Sequence, residues 1–236
     1  MMANGVLDFS RAQFYLVCAR PAFDSTLKYA ELMRLLPAQE EVVRVLRDTG
    51  ALRHGHFEFP NGSHSNEYLQ VPLAMRYYQH AKMLSVGLSR LLRANTEIRA
   101  VIPELSIVAP APGGLPVAYG ICEALQAKQV YWAEREGAGL GYRFRPFIEP
   151  QPGEQVMLVD DILHSGKNLM DLKATLESHG AMVLGIAVVV YQPGPETHDF
   201  GKLPLYHLAR LEASYYADAA SCEMCKSSQP LTKVWV

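Results

Sequence analysis

The sequence predicts an α/β fold in which a mostly parallel sheet is flanked by helices, and three observations carry that expectation. From Ser106 onward, short apolar runs alternate with helical patterns, the rhythm of strand–helix–strand units. The runs, such as Val156–Val159 and Val183–Val190, are continuously apolar, as strands buried on both faces are. Ahead of them, a polar, glycine-bearing patch over 60–66 separates two short extended segments, the pattern of a hairpin.

Taken in order, Ser10–Arg20 and Gln39–Thr49 read as helices. In the second, Val42, Val43 and Leu46 share a face and Gly50 stops the helix. His56–Phe59 and Glu67–Val71 are the two arms of the hairpin, and a helix follows from about Tyr77 to Arg93, with Tyr77 and Tyr78 expected to pack under the hairpin. Then come a strand at Ile107–Ala109, a helix after Gly113–Gly114, strands at Val130–Ala133 and Val156–Val159, a helix at Asn168–His179 and a strand at Val183–Val190. The stretch Glu136–Gly153 breaks the rhythm with repeated glycine and proline and reads as a mobile loop plus a turn. The tail from Lys202 holds one strand candidate and then irregular chain.

The bulk properties exclude several classes. With 236 residues and no obvious linker, the chain reads as one domain with elaborations. A formal charge of −2 offers no basic excess for gripping nucleic acid. No apolar run approaches a membrane span, and the N-terminal stretch, carrying Asp8, Arg11, Arg20 and Asp24, lacks the pattern of a signal peptide. Four cysteines are too few for a disulfide framework, so a reducing cytoplasm is expected, with Cys18 and Cys122 as core residues.

The segment Val156–Asn168, VMLVDDILHSGKN, carries the chemistry. A buried strand ends in Asp160 and Asp161, where ligands of open α/β sheets bind. The small, polar residues that follow expose backbone N–H groups at the start of a helix, an anion site. The two carboxylates suit ribose hydroxyls and, partly through water, a hard divalent cation; alone, such a pair also reads as a strand end and helix cap.

With its surroundings, this segment resembles the signature of the type I phosphoribosyltransferases. The chain is most similar to bacterial orotate phosphoribosyltransferases with a cysteine-bearing tail. FPNGSHSNEYLQ (59–70) resembles their substrate hairpin, APAPGGLPVA (109–118) their first diphosphate loop, YWAERE (131–136) the start of their flexible loop and CEMCKSSQPLTK (222–233) their tail. The resemblance implies the type I phosphoribosyltransferase fold, its sheet twisted and topped by a small hood. It divides the chain into an N-terminal extension, 1–38, and a domain, 39–236, that includes a hood hairpin over about 50–72 and a Cys-x-x-Cys tail over about 220–236.

It further implies a pentosyltransferase that uses phosphoribosyl diphosphate and Mg²⁺ to make a nucleoside monophosphate in pyrimidine biosynthesis, acting as a homodimer. Asp160 and Asp161 would hold ribose and Mg²⁺; His164, Ser165, Gly166, Lys167 and Asn168 the 5′-phosphate; and Gly113, Gly114 and Arg143 the diphosphate. Arg135 is the preferred catalytic cation, with Arg145 a further one. His64, Ser65, Tyr68, His164 and Gln192 would contact the base. The chain departs from the pattern: His164 and Lys167 replace loop threonine-type positions, 137–140 carries no Lys, and Gln192 and Glu67 stand where arginines are usual. These departures leave the acceptor open between orotate and a neutral, amide-like heterocycle. The alternative is a non-catalytic phosphoribosyl diphosphate or nucleotide-binding regulatory protein of the same fold.

Two further groups stand apart. Cys222 and Cys225 read either as half of a tetrahedral zinc site, completed by His207 or by a second subunit, or as two reduced thiols in a packed tail. His54 and His56 read equally as ligands or as surface histidines.

Overall fold

The computed structural model describes residues 36–137 and 141–234. The expected helix Ser10–Arg20, Cys18 and nearly all of the N-terminal extension lie outside the described residues, as do 138–140 of the glycine-rich loop.

Helix α1 (Gln39–Asp48) forms as its pattern predicts. Glu40 and Glu41 face the positive end of the helix dipole, Arg47 the negative end, and Val42, Val45 and Leu46 are buried. Gly50, at φ +70°, turns the chain into strand β1 (Leu52–Glu58), which pairs antiparallel with β2 (His64–Leu69). The pairing slips by one residue between His54 and Phe57. That bulge inverts the alternation of sides, so His54 faces the same way as Phe57 while His56 joins Glu58 and His64 on the other face.

Short α2 (Pro72–Met75) leads into α3 (Tyr78–Ala94) and α4 (Thr96–Val101). Asn95 caps α4, its side-chain oxygen accepting from the backbone N–H groups of Glu97 and Ile98. Tyr77 and Tyr78 do not pack under the hairpin: they are 44% and 70% exposed. The buried face of α3 is carried instead by Leu84, Leu88 and Leu92, one helical turn apart.

The central sheet contains β3 (Ser106–Pro110), β4 (Gln129–Arg135), β5 (Tyr142–Arg143), β6 (Gln155–Leu163), β7 (Met182–Tyr191) and β8 (Leu205–Arg210), in the order β5-β4-β3-β6-β7-β8. All neighbours are parallel except β5, which pairs antiparallel with β4 at the edge, inside the stretch expected to be loop. Helix α5 (Leu115–Leu125) connects β3 to β4, and α6 (Lys167–Ser178) connects β6 to β7. The parallel strands run 2-1-3-4-5, so the order reverses between β3 and β6. Ligands of open α/β sheets bind at that reversal, beyond the carboxyl ends of the strands.

Alternate residues of each central strand enter two separate cores. Met157, Val159, Ala187 and Val189 pack with α1, α3 and α5 on one face. Val156, Leu158, Ile186 and Val188 pack with Leu169, Leu172 and Leu176 of α6 on the other. This two-sided burial is why the strands are apolar throughout.

The tail is more ordered than its sequence suggests. After β8, strand β9 (Tyr215–Tyr216) pairs with β2, short helix α7 (Glu223–Lys226) follows, and β10 (Leu231–Lys233) pairs in parallel with β1. The hood is thus a four-stranded sheet, β10-β1-β2-β9, made of an N-terminal hairpin flanked on both edges by the C-terminal tail.

Helices α3 and α5 meet where neither tolerates more volume. A Cβ on Gly120 would sit 2.1 Å from Ser85 Oγ and 3.0 Å from Ser85 Cβ. Ser85 Oγ is itself buried with no hydrogen-bond partner among the described residues. Gly120→Ala is expected to cost about 1–3 kcal/mol through overpacking. Ser85→Ala, which removes the clashing and unpartnered hydroxyl, should be near neutral alone and recover part of that loss in the double variant. Urea denaturation of the four proteins measures the coupling; strictly additive effects would mean the helices do not meet at this pair.

Candidate functional site

Two loops converge at the reversal between β3 and β6. The loop after β3 brings Gly113 and Gly114 against the end of β6. A Cβ on Gly114 would lie 3.0 Å from Asp160 Oδ1, and one on Gly113 would lie 3.6 Å from Asp161 Oδ1. Position 114 therefore admits glycine because of the carboxylate beside it.

Strand β6 runs further than expected, to Leu163, so both aspartates lie within it. Asp160 Oδ1 accepts from the Asp161 N–H at 2.9 Å, and Asp161 Oδ1 accepts from the Ile162 N–H at 2.9 Å. Burial pushes the Asp160 carboxyl well above the ordinary aspartate range, with the Asp161 charge adding to it, and burial also raises Asp161. Two desolvated carboxylates of like charge are costly to ionise, and hydroxyl donors or a hard cation with oxygen ligands would relieve the cost.

Beyond them, Gly166 turns the chain into α6 at φ +75°, with Phe200 so close that a Cβ would meet it at 2.9 Å. The backbone conformation and the crowding both select glycine here. Ser165 Oγ accepts from the Lys167 N–H at 3.3 Å. A segment after β7 braces this turn: Thr197 Oγ1 donates to the His164 carbonyl at 2.7 Å, and the His198 N–H donates to the Ser165 carbonyl at 2.9 Å. Nothing in the sequence marked Thr197, His198 or Phe200, because they act across about thirty residues.

Arg135, at the end of β4, reaches the first turn of α6. It donates to Asn168 Oδ1, lies 3.4 Å from Asp171 Oδ2, and covers the Tyr142 ring at 4.6 Å. The structure thus joins two predicted site residues, Arg135 and Asn168, through one contact. Arg143 pairs with Glu136 at 3.2 Å and Arg145 with Glu134 at 2.6 Å, both largely exposed.

A chain of contacts runs from the turn at Gly166 into the hood. His164 Nδ1 donates to the Gln192 carbonyl at 2.8 Å, since a carbonyl only accepts, and its ring stacks on Tyr215 with centroids 4.0 Å apart. Tyr215 donates its hydroxyl to Gln192 Oε1 at 2.9 Å, and Gln192 Nε2 donates to Glu67 Oε2 at 2.9 Å. Glu67 Oε1 meets His54 Nδ1 at 3.2 Å. Burial raises the Glu67 pKa against the lowering effect of His54, Arg47 and Gln192, and burial with the Glu67 charge pushes Tyr215 up to about 12. Ser65 Oγ accepts from the Glu67 N–H, while Tyr68 packs on Phe57 and Phe59.

His64, expected at the base, instead belongs to a second cluster. His56, His64, Cys222 and Cys225 bring one ligand atom each within 4.8 Å of one another, a group able to hold a metal ion. His207 is not part of it. It lies on β8 beside Tyr191, with burial and Arg210 lowering its pKa. His56 is buried, not a surface histidine, whereas His54 stays half exposed.

No protein-family model matches the chain. An orotate phosphoribosyltransferase of Carboxydothermus hydrogenoformans is 30% identical over 193 residues, 82% of this chain and 95% of that protein. That of Thermotoga maritima is 29% identical over 192 residues, 81% of this chain and 96% of that protein. The crystal structure of orotate phosphoribosyltransferase from Aeropyrum pernix matches with a TM-score of 0.56 at 20% identity, over 72% of this chain and 93% of that one. The fold, with its acidic strand end and glycine-turned helix start, is of the type I phosphoribosyltransferase class. Within that class, the chain belongs to the orotate phosphoribosyltransferase family.

The buried aspartates predict an inverse relation between stability and function. A carboxyl whose folded pKa is raised holds its proton more tightly in the folded state. Its contribution is favourable below the unfolded value near 3.8 and is lost as pH rises through the folded value. Asp160→Asn should therefore raise Tm at pH 8 by about 2–4 °C for each kcal/mol relieved, with the gain shrinking toward pH 4. Calorimetry across that range checks it; an Asn variant less stable at pH 8 would contradict the cost assigned to this carboxylate.

Proposed function

We propose that the chain transfers the phosphoribosyl group of phosphoribosyl diphosphate to a nitrogenous base, forming a nucleoside monophosphate for pyrimidine biosynthesis. The C1–N bond to the base forms as the C1–O bond to diphosphate breaks. The observation that carries this reading is the pair of buried Asp160 and partly buried Asp161, faced by the Gly113–Gly114 loop and followed by the Gly166 turn into α6.

In this reading Asp160 and Asp161 hold ribose hydroxyls. The backbone N–H groups at the start of α6, with Ser165, Lys167 and Asn168, receive the 5′-phosphate. The oxygen donors of the aspartate pair fit Mg²⁺, which would neutralise charge on the diphosphate. Arg135 orients Asn168 and adds positive charge beside the phosphate turn. Gly113 and Gly114 let the diphosphate approach the backbone. The protein works in the cytoplasm as a homodimer, each neighbour's loop completing the other's site. Among the described residues, no helix is long and apolar enough to cross a membrane.

The names of the curated relatives make orotate the first acceptor to test. A second reading, a neutral amide-like heterocycle, is favoured by one observation. The wall formed by His164, Tyr215 and Gln192 is backed by the Glu67 carboxylate, and both polar atoms of the Gln192 amide are already engaged. An anionic base would approach a like charge.

Diphosphate release by the purified protein with phosphoribosyl diphosphate and Mg²⁺, assayed against orotate, uracil and other bases, tests the proposal. Release with a pyrimidine is expected, reduced about 10²–10³-fold in Asp161→Asn, the scale of losing one strong electrostatic contact. Glu67→Gln should raise kcat/KM for orotate about tenfold or more, the worth of one charged contact. Binding of phosphoribosyl diphosphate without release from any base would replace this reading with a non-catalytic binding protein.

A further inference from the structure

The hood contains a cluster that the transfer reaction does not use. His56 comes from β1, His64 from the start of β2, and Cys222 and Cys225 from the N-cap and first turn of α7. Cys222, His56 and His64 are 0%, 4% and 2% exposed, and Cys225 is partly buried. Four soft or borderline ligands therefore converge in a largely buried place.

The distances match a tetrahedral ion. Bonds of about 2.3 Å to sulfur and about 2.0–2.1 Å to nitrogen make the S···N edge of a tetrahedron about 3.5–3.6 Å. Cys222 Sγ to His56 Nε2, Cys225 Sγ to His56 Nε2 and Cys225 Sγ to His64 Nδ1 are each 3.5 Å. The two ring nitrogens, at 2.8 Å, need to part by roughly half an ångström to reach the N···N edge.

The orientation of His56 is independently fixed. Its Nδ1 lies 3.1 Å from the Gln229 carbonyl, which only accepts, so Nδ1 carries the proton and the Nε2 lone pair points into the cluster. Metal-binding histidines are held in this way, their second nitrogen donating to a backbone carbonyl.

We propose that His56, His64, Cys222 and Cys225 form a structural zinc site that staples the C-terminal tail to the hood hairpin. Two thiolates and two imidazoles in a tetrahedron are the ligands of zinc, and four protein ligands leave no open position for catalysis. The ion joins chain segments more than 150 residues apart in sequence, and the strands it secures, β9 and β10, lie on both edges of the hairpin. Tyr215, seven residues before Cys222, stacks on His164 and bonds Gln192. The staple thereby holds that side chain in place, whatever base, if any, binds beside it.

The test uses the full chain, purified without chelator or metal-affinity resin. Elemental analysis should find about one zinc per chain. Metal-stripped protein should take up one Co²⁺ with the visible bands of a tetrahedral ion and thiolate-to-cobalt charge transfer in the near ultraviolet. Cys225→Ser should weaken zinc at least tenfold. Hydrogen exchange at the amides of 215–216 and 231–233 should be at least tenfold faster in the stripped protein than in the zinc-loaded one. Failure of stripped wild-type protein to bind either ion stoichiometrically, a cobalt spectrum without thiolate charge transfer, or wild-type zinc affinity in Cys225→Ser would each overturn the site. None of these readouts depends on phosphoribosyl transfer, so the metal site and the proposed reaction stand or fall separately.

Discussion

Two carboxylates brought out of water at the end of β6 constrain what surrounds them. Asp160 and Asp161 lie beyond the pairing with β3, which ends at Leu158, but within the parallel pairing with β7, which runs on to Leu163 and holds their backbone on that side. The charge is tolerated because backbone N–H groups of Asp161 and Ile162 point at the oxygens. The facing loop has no side chain at Gly114, where one would strike Asp160, and the turn at Gly166 clears the start of α6. The reversal of strand order between β3 and β6 opens the crevice in which these features meet. Such a site carries a stability cost at neutral pH, the usual consequence of holding charge ready for a ligand.

The hood is joined to this centre by polar contacts as well as by packing. Glu67 of the hairpin, Gln192 after β7, Tyr215 of the tail and His164 beside the Gly166 turn form one continuous chain of contacts. The links through Gln192 satisfy the buried Gln192 and Glu67 side chains, and His164 meets Tyr215 by ring stacking, so removing Glu67, Gln192 or Tyr215 takes a hydrogen-bond partner from the chain. Because Tyr215 belongs to the tail, the geometry of this wall depends on how the tail is held against the hairpin. The Cys-x-x-Cys segment and the wall of Glu67, Gln192, Tyr215 and His164 are in that sense one structural unit.

The residues that local rules govern were legible in the sequence. Helix α1 with its Gly50 stop, the hairpin turn, the apolar central strands and the acidic strand end before Gly166 all follow from periodicity, turn chemistry and two-sided burial. The resemblance over 59–70, 109–118 and 156–168 pointed to the family that the named relatives share. Local rules failed where pairing was nonlocal. Strands β9 and β10 are too short to show a period and exist because the hairpin edges offer them hydrogen bonds. His54 and His56, two apart, should share a face of a regular strand, and only the bulge in β1 sends them to opposite sides.

What the sequence by itself determined was therefore the layered α/β class, the acidic strand end and the glycine turn, because these depend on residues within a few positions of one another. What only the tertiary structure decided was which distant side chains became partners. His56 and His64 join the cysteine pair in place of His207, Tyr215 joins Gln192 and Glu67, and Thr197 and His198 brace the turn at Gly166. The physical reason is that a ligand set or polar network is fixed by where the sheet and its edges bring the chain together, and that information has no periodic trace along the sequence.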